Sequence, residues 1–148
     1  MTLREKIGSL VATALPGYGY ECDTERMMNV TADDGAFPLV FMDEYVTGKA
    51  TSRYGWERTD TVELHFMDLF TFQGDAVARD AVRARLSAAV MDFIAAVNAD
   101  GLFKPVDTFR ISNAPMMFDA NAVDVLVRVD LTYSPVCFDA MPSEGAQG

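Results

Sequence analysis

The sequence predicts an α+β fold: a mostly antiparallel sheet of about four to six strands, with an N-terminal helix and one long helix packed on one face. Three stretches predict it. Residues 123–133, VDVLVRVDLTY, alternate apolar and polar, with Val123, Val125, Val127, Val129, Leu131 and Tyr133 on one side, as in a strand with one buried face. Residues 75–98 carry Val82, Leu86, Val90, Phe93, Ile94 and Val97 as a stripe at helical spacing, with most of the charges opposite. Residues 37–46, FPLVFMDEYV, form a continuous apolar run ending in charge, which suits a strand covered on both faces.

The remaining elements follow in chain order. Leu3, Ile7, Leu10, Val11 and Ala14 recur at three- and four-residue steps, and Thr2 with Glu5 makes a capping box, so a helix spans about 2–14. The stretch LPGYGYECD then reads as the turn that ends it, because of Pro16 and the two glycines. Residues 25–31 read as a short strand and TADDGAF as a turn. The polar segment Thr47–Asp60, with isolated aromatics at Tyr54 and Trp56, is expected to be an exposed loop or hairpin arm, a length of connection that usually serves a function.

In DTVELHFMDLFTFQGD, residues 60–75, Val62, Leu64, Phe66 and Phe70 alternate with Glu63, His65, Met67 and Leu69 as a period-2 strand. Asp75 is placed to cap the long helix, and Gly101 and Pro105 to stop it. A strand over 108–118 is interrupted at Pro115, as at an edge or a bulge. One α+β domain over 1–137 is expected, followed by a short flexible tail over 138–148.

Composition narrows the function. With 148 residues the chain is large enough to bury a core without staples. Twelve Lys and Arg against 22 Asp and Glu give a net charge of −10, which argues against gripping nucleic acid through its phosphates. A negative wall past which nucleic acid slides is compatible with that charge. No apolar run reaches the roughly 18 residues of a membrane span, and the N-terminus lacks the unbroken apolar core of a signal peptide. Cys22 and Cys137 are read as reduced, partly buried thiols.

The chemical motifs fail one by one. Glu63 and the only histidine, His65, share one face of a strand, roughly 7 Å apart, but two ligands are too few for a transition-metal site. The pair reads as a solvated or subunit-facing surface, so truncating His65 to Ala is expected to leave assembly nearly unchanged. FQGD lacks a lysine and puts an aspartate where a phosphate would sit, and PGYGY precedes no clear helix. DDG lacks the later ligands of a calcium loop, and no serine lies in a GxSxG elbow. The nine methionines read mainly as core filling. No catalytic residue, cofactor or metal is expected.

The outward-facing features are the Thr47–Asp60 segment and a sheet face that keeps apolar residues, which suit contact between subunits. The expected interface residues are Arg53, Tyr54, Trp56, Glu63, His65, Met67, Leu126 and Arg128.

The order of elements, with FPLVFMDE, DTVELHFMDLF, ARLSAAVMDFIAAV and VDVLVRVDLTY, resembles the tail terminator (tail completion) proteins of long-tailed bacteriophages. In that family an LRxxIxxxL-type helix precedes a short strand, an FP-plus-apolar strand, a protruding loop, an xxELxxxV/L-type strand, a crossing helix and a final alternating strand. The matching positions are Leu3 to Leu10, Phe37 to Met42, Thr61 to Phe70, Arg83 to Val97 and Val123 to Tyr133, with no counterpart for residues 18–30. The resemblance implies a virion protein without enzymatic activity, assembled in the host cytoplasm. It would form a ring, commonly a hexamer, that caps the tail tube and joins it to the head connector or stopper proteins. DNA would pass through the lumen. The alternatives are another neck or tail component, such as a connector or the tube protein, and a small α+β ligand-binding domain or enzyme.

Overall fold

A computed structural model describes residues 1–23, 37–51, 57–69, 76–114 and 122–139. The elements are α1 (Leu3–Ala14), β1 (Gly19–Asp23), β2 (Leu39–Asp43), β3 (Thr47–Thr51), β4 (Glu57–Leu69), α2 (Ala76–Asp100), β5 (Arg110–Ala114), β6 (Ala122–Tyr133) and a short α3 (Pro135–Asp139). The expected strand at 25–31, the Asp75 cap, Phe70, Pro115 and the Arg53–Tyr54–Trp56 cluster lie outside the described residues. So does the tail from 140 onward, although α3 carries helix through residue 139.

The fold is the α+β architecture the sequence predicts, a six-stranded mixed sheet with both long helices on one face. The strands run β1-β2-β4-β6-β5, and β3 pairs β4 off that path. Every pairing is antiparallel except β1–β2. Thr2 caps α1 through Oγ1, which accepts from Glu5 N at 3.2 Å, and the Glu5 carboxylate accepts from Thr2 N, closing the capping box. Gly101, with φ of 81°, takes the left-handed position just past the end of α2.

The core lies between the helices and one sheet face. Ile7, Leu10 and Val11 of α1 and the expected α2 stripe, extended by Ala89, pack against Val40, Val62, Leu64, Phe66, Val125, Val127 and Val129. Phe66 and Phe93 meet edge to face at 6.0 Å. Each such side chain, fully buried, contributes roughly 1.5–3 kcal/mol. Leu39, Val40, Phe41 and Met42 are buried in succession, so β2 is covered on both faces as its unbroken apolar run requires.

One turn expectation is overturned. Residues 19–23, within the expected LPGYGYECD turn, form β1 and pair in parallel with β2. Pro16 and Gly17 end the helix, but from Gly19 the chain alternates again. Tyr20 points toward the helices, where its hydroxyl donates to Arg4 O at 2.8 Å, whereas Glu21 points to solvent. A Cβ at Gly8 would press on the Tyr20 ring, so α1 needs that glycine to lie close over β1.

Candidate functional site

Within Thr47–Asp60, β3 lies antiparallel on the start of β4, whose Arg58 to Thr61 also pair with Tyr133 to Asp130 of β6, so among the described residues β3 is an edge strand of the sheet. β3 pairs with β4 from Thr47 opposite Thr61 to Thr51 opposite Glu57, and all five β3 residues are exposed. The β4 segment beneath it is held on both faces. On the helix side, Asp60 is 2% exposed and accepts from Tyr133 Oη at 2.6 Å and from Arg58 Nε at 2.6 Å. This hydrogen bond and the carboxylate charge raise the Arg58 guanidinium above its ordinary value. A Cβ at Gly48 would collide with Asp60 Oδ1, which explains a glycine in a strand there. On the other face Thr59 and Thr132 share a hydroxyl hydrogen bond of 2.8 Å.

The other expected interface residues occupy the sheet face away from the helices, and the structure divides them. His65 and Met67 are 1% and 0% exposed, which corrects the reading of both as surface residues. Their neighbours on that face, Leu39 and Phe41, are equally buried, and the Phe41 ring meets the His65 ring edge to face at 6.4 Å. In the tautomer that lets the carboxylate accept, His65 Nδ1–H donates to Asp124 Oδ2 at 2.7 Å. Asp124 is itself fully buried, and its Oδ1 has no hydrogen-bond partner among the described residues. A carboxylate–imidazole pair this deep cannot touch a substrate. It is a polar tie between β4 and β6.

The tie also changes what truncating His65 does. Removing the imidazole strands Asp124 in the interior, so His65→Ala is a folding mutation rather than a neutral one.

Glu63, Leu126 and Arg128 remain accessible on this face, with Glu63 and Leu126 half-buried and Arg128 exposed. Glu63 and Arg128 are cross-strand partners, and Arg128 Nε donates to Glu63 Oε1 at 3.0 Å. Beside them lies an open trough with two adjoining basins. One, of about 530 Å³, is lined by Thr61, Thr108, Phe109, Arg110, Arg128 and Asp130. The other, of about 490 Å³, shares Thr61 and Asp130 and adds Lys49 and Thr59. Thr61 Oγ1 donates to Asp130 Oδ1 at 2.7 Å, so these polar groups already answer one another.

On the helix side, a third cleft of about 390 Å³ is lined in part by Arg4, Cys22, Glu44, Arg58 and Asp60. Burial pushes the Cys22 thiol up against the opposing pull of Arg4, and Glu44, Asp23 and Asp43 push it further. That is the reverse of what a reactive thiolate needs. Burial likewise raises the Tyr20 phenol, with Cys22 adding to the effect.

Both cysteines are free, but Cys137 is exposed rather than partly buried. Met42 fills the interior as expected, whereas Met91 is exposed. Among the described residues no group of three His, Cys, Asp or Glu side chains is placed to hold a metal ion, and no helix is long and apolar enough to cross a membrane.

No protein-family model matches this chain, and no curated protein is significantly similar to it in sequence.

Proposed function

We propose that this chain is a structural component of a long-tailed phage virion, a ring-forming tail terminator. In this reading it caps the tail tube, joins it to the head connector or stopper proteins, and leaves a lumen for DNA. The observation that carries the reading is β3, a strand all five of whose residues are exposed. Among the described residues its one strand neighbour is β4, which β6 pairs on the other side, so the outer side of β3 is a sheet edge that a neighbouring chain can extend. Beneath it the buried Asp60, held by Tyr133 and Arg58, fixes the segment of β4 on which β3 lies. A firmly held, exposed edge strand is what a subunit needs to engage one specific neighbour. The excess of 10 negative charges suits a lumen that repels phosphate rather than holding it.

The test is the mass in solution, by light scattering at several concentrations, alone and with tail tubes. A discrete ring-sized species, or a monomer that forms rings only on tubes, is the expected result. Open-ended filaments indicate a tube protein instead. A chain that stays monomeric under both conditions removes the assembly reading.

A further inference from the structure

Two arginines stand side by side on the sheet face away from the helices. Arg110 of β5 and Arg128 of β6 are direct cross-strand partners, so their side chains leave the same face, and both residues are exposed. Like charges in that register cost stability unless something negative answers them. One acid is already there: Glu63 Oε1 accepts from both Nε and Nη2 of Arg128. That contact occupies one edge of the Arg128 guanidinium and leaves its other N–H groups without a partner among the described residues. Arg110 has no acid partner at all among the described residues.

The next pair on this face is Ser112 opposite Leu126. Among the described residues these four, Arg110, Ser112, Leu126 and Arg128, line a hollow of about 190 Å³. Two guanidinium groups and a hydroxyl border it, a half-buried leucine supplies its apolar part, and no acid is among those four. On the other side of the arginines lies the basin of about 530 Å³, whose carboxylate, Asp130, accepts from Thr61. Charge decides what fits the hollow. Arg110 and Arg128 set against Glu63 leave a single positive charge, so a single negative charge completes the set. A phosphate dianion would bring a further charge up against Glu63 and Asp130. A carboxylate brings one charge and two oxygens in a plane, the pattern a guanidinium fork matches.

We propose that Arg110, Arg128 and Ser112 form a carboxylate-binding site, in which one carboxylate bridges the two guanidinium groups and accepts from the Ser112 hydroxyl. Glu63 is its positioning residue: it already holds Arg128, so only Arg110 has to be ordered on binding. A free small carboxylate and an acidic side chain of a neighbouring chain carry the same group. In the second case the site rests on the ring reading above and is one of the contacts between subunits. Copies with a net charge of −10 repel one another, and a basic spot is where one copy receives an acid of the next.

Melting of the full chain in sodium acetate, against sodium chloride at equal ionic strength, tests the site. Acetate is expected to raise the melting temperature by a few degrees, as a ligand of the folded state does. Arg110→Gln removes a fork and the repulsion together, so it should melt no lower than the parent in chloride and lose the acetate response. Arg110→Lys, which keeps the charge without the fork, should retain only part of it. Light scattering then locates the source. Acetate and Arg110→Gln each raising the concentration for half-assembly about tenfold place the carboxylate on a neighbouring chain. Assembly unchanged by either, with the acetate response present, makes the ligand a free carboxylate. The site is overturned by an acetate response that survives Arg110→Gln, or by a larger rise with inorganic phosphate at the same ionic strength. It is also overturned if the parent shows no acetate response and Arg110→Gln assembles as the parent does. A chain that stays monomeric with or without tail tubes overturns the ring reading, and the acetate response then decides the site by itself.

Discussion

The sheet face away from the helices has two ends built on the same alternation and put to opposite uses. At one end Leu39, Phe41, His65, Met67 and Asp124 are buried. At the other, on the same strands, Glu63, Arg128, Thr61 and Asp130 reach solvent or half-reach it. Both ends hold a cross-strand acid–base pair between β4 and β6, His65–Asp124 and Glu63–Arg128, whose β4 members are two residues apart. Burial makes the first a structural tie whose loss strands a polar group, whereas water screens the second. The difference teaches that an ion pair's weight follows from what covers it rather than from its geometry.

The largest effect belongs to the buried end. His65→Ala or Asp124→Ala is expected to cost roughly 3–5 kcal/mol, read as a lowered denaturant midpoint, because each leaves the other partner buried alone. Replacing both by leucine should cost less than the two single changes summed, the mark of two residues acting as one unit. A His65→Ala midpoint within error of the parent would mean that water reaches the pair, and the contrast between the two ends would vanish.

The helix-covered face offers a second test, through pH. Burial raises Cys22 above its ordinary 9.0 and Tyr20 above its ordinary 10.0, so the folded chain keeps protons that the unfolded chain releases. Stability therefore falls with rising pH. Below about pH 9 it is at its full value, and it declines as pH climbs first past the ordinary thiol range and then past the phenol range. Urea midpoints at about pH 8 and about pH 10.5 should show the drop, and Tyr20→Phe should flatten it while lowering the starting value. A midpoint that holds constant across that range would mean that neither group is desolvated.

The elements with one dominant signal were legible in the sequence. The alternation of β6, the α2 stripe and the Thr2–Glu5 capping box each depend on residues close in the chain. β1 was not legible, because Pro16, Gly17 and Gly19 carry turn chemistry and five residues give alternation too little length to compete. β3 was legible as exposed through its polarity, but its place as an edge strand on β4 was not, because that pairing is what makes it a strand. His65 was misread for a different reason. Period two assigns His65 and Glu63 to one face, but it carries no information on what covers that face at each level. A signal did exist: Leu39, Phe41, Met67 and His65 become one patch once the β2–β4 register is known. That register is a long-range fact, and Asp124, the partner that makes the histidine acceptable inside, is 59 residues away in the chain.

The smallest effect sharpens the comparison from the exposed end. The Arg128 side chain is 52% exposed and that of Glu63 25%, so the pair should contribute below about 1 kcal/mol, and less in high salt. The two single variants should nevertheless differ. Glu63→Ala leaves Arg128 beside Arg110 without its cross-strand acid, whereas Arg128→Ala removes one member of that repelling pair. Glu63→Ala is therefore expected to be the more destabilising of the two, and adding salt should narrow the gap. Equal losses, unchanged by salt, would mean that the Arg110–Arg128 juxtaposition carries no strain in the monomer. A loss at Glu63 as large as that at His65 would mean that this end of the face is shielded from water too.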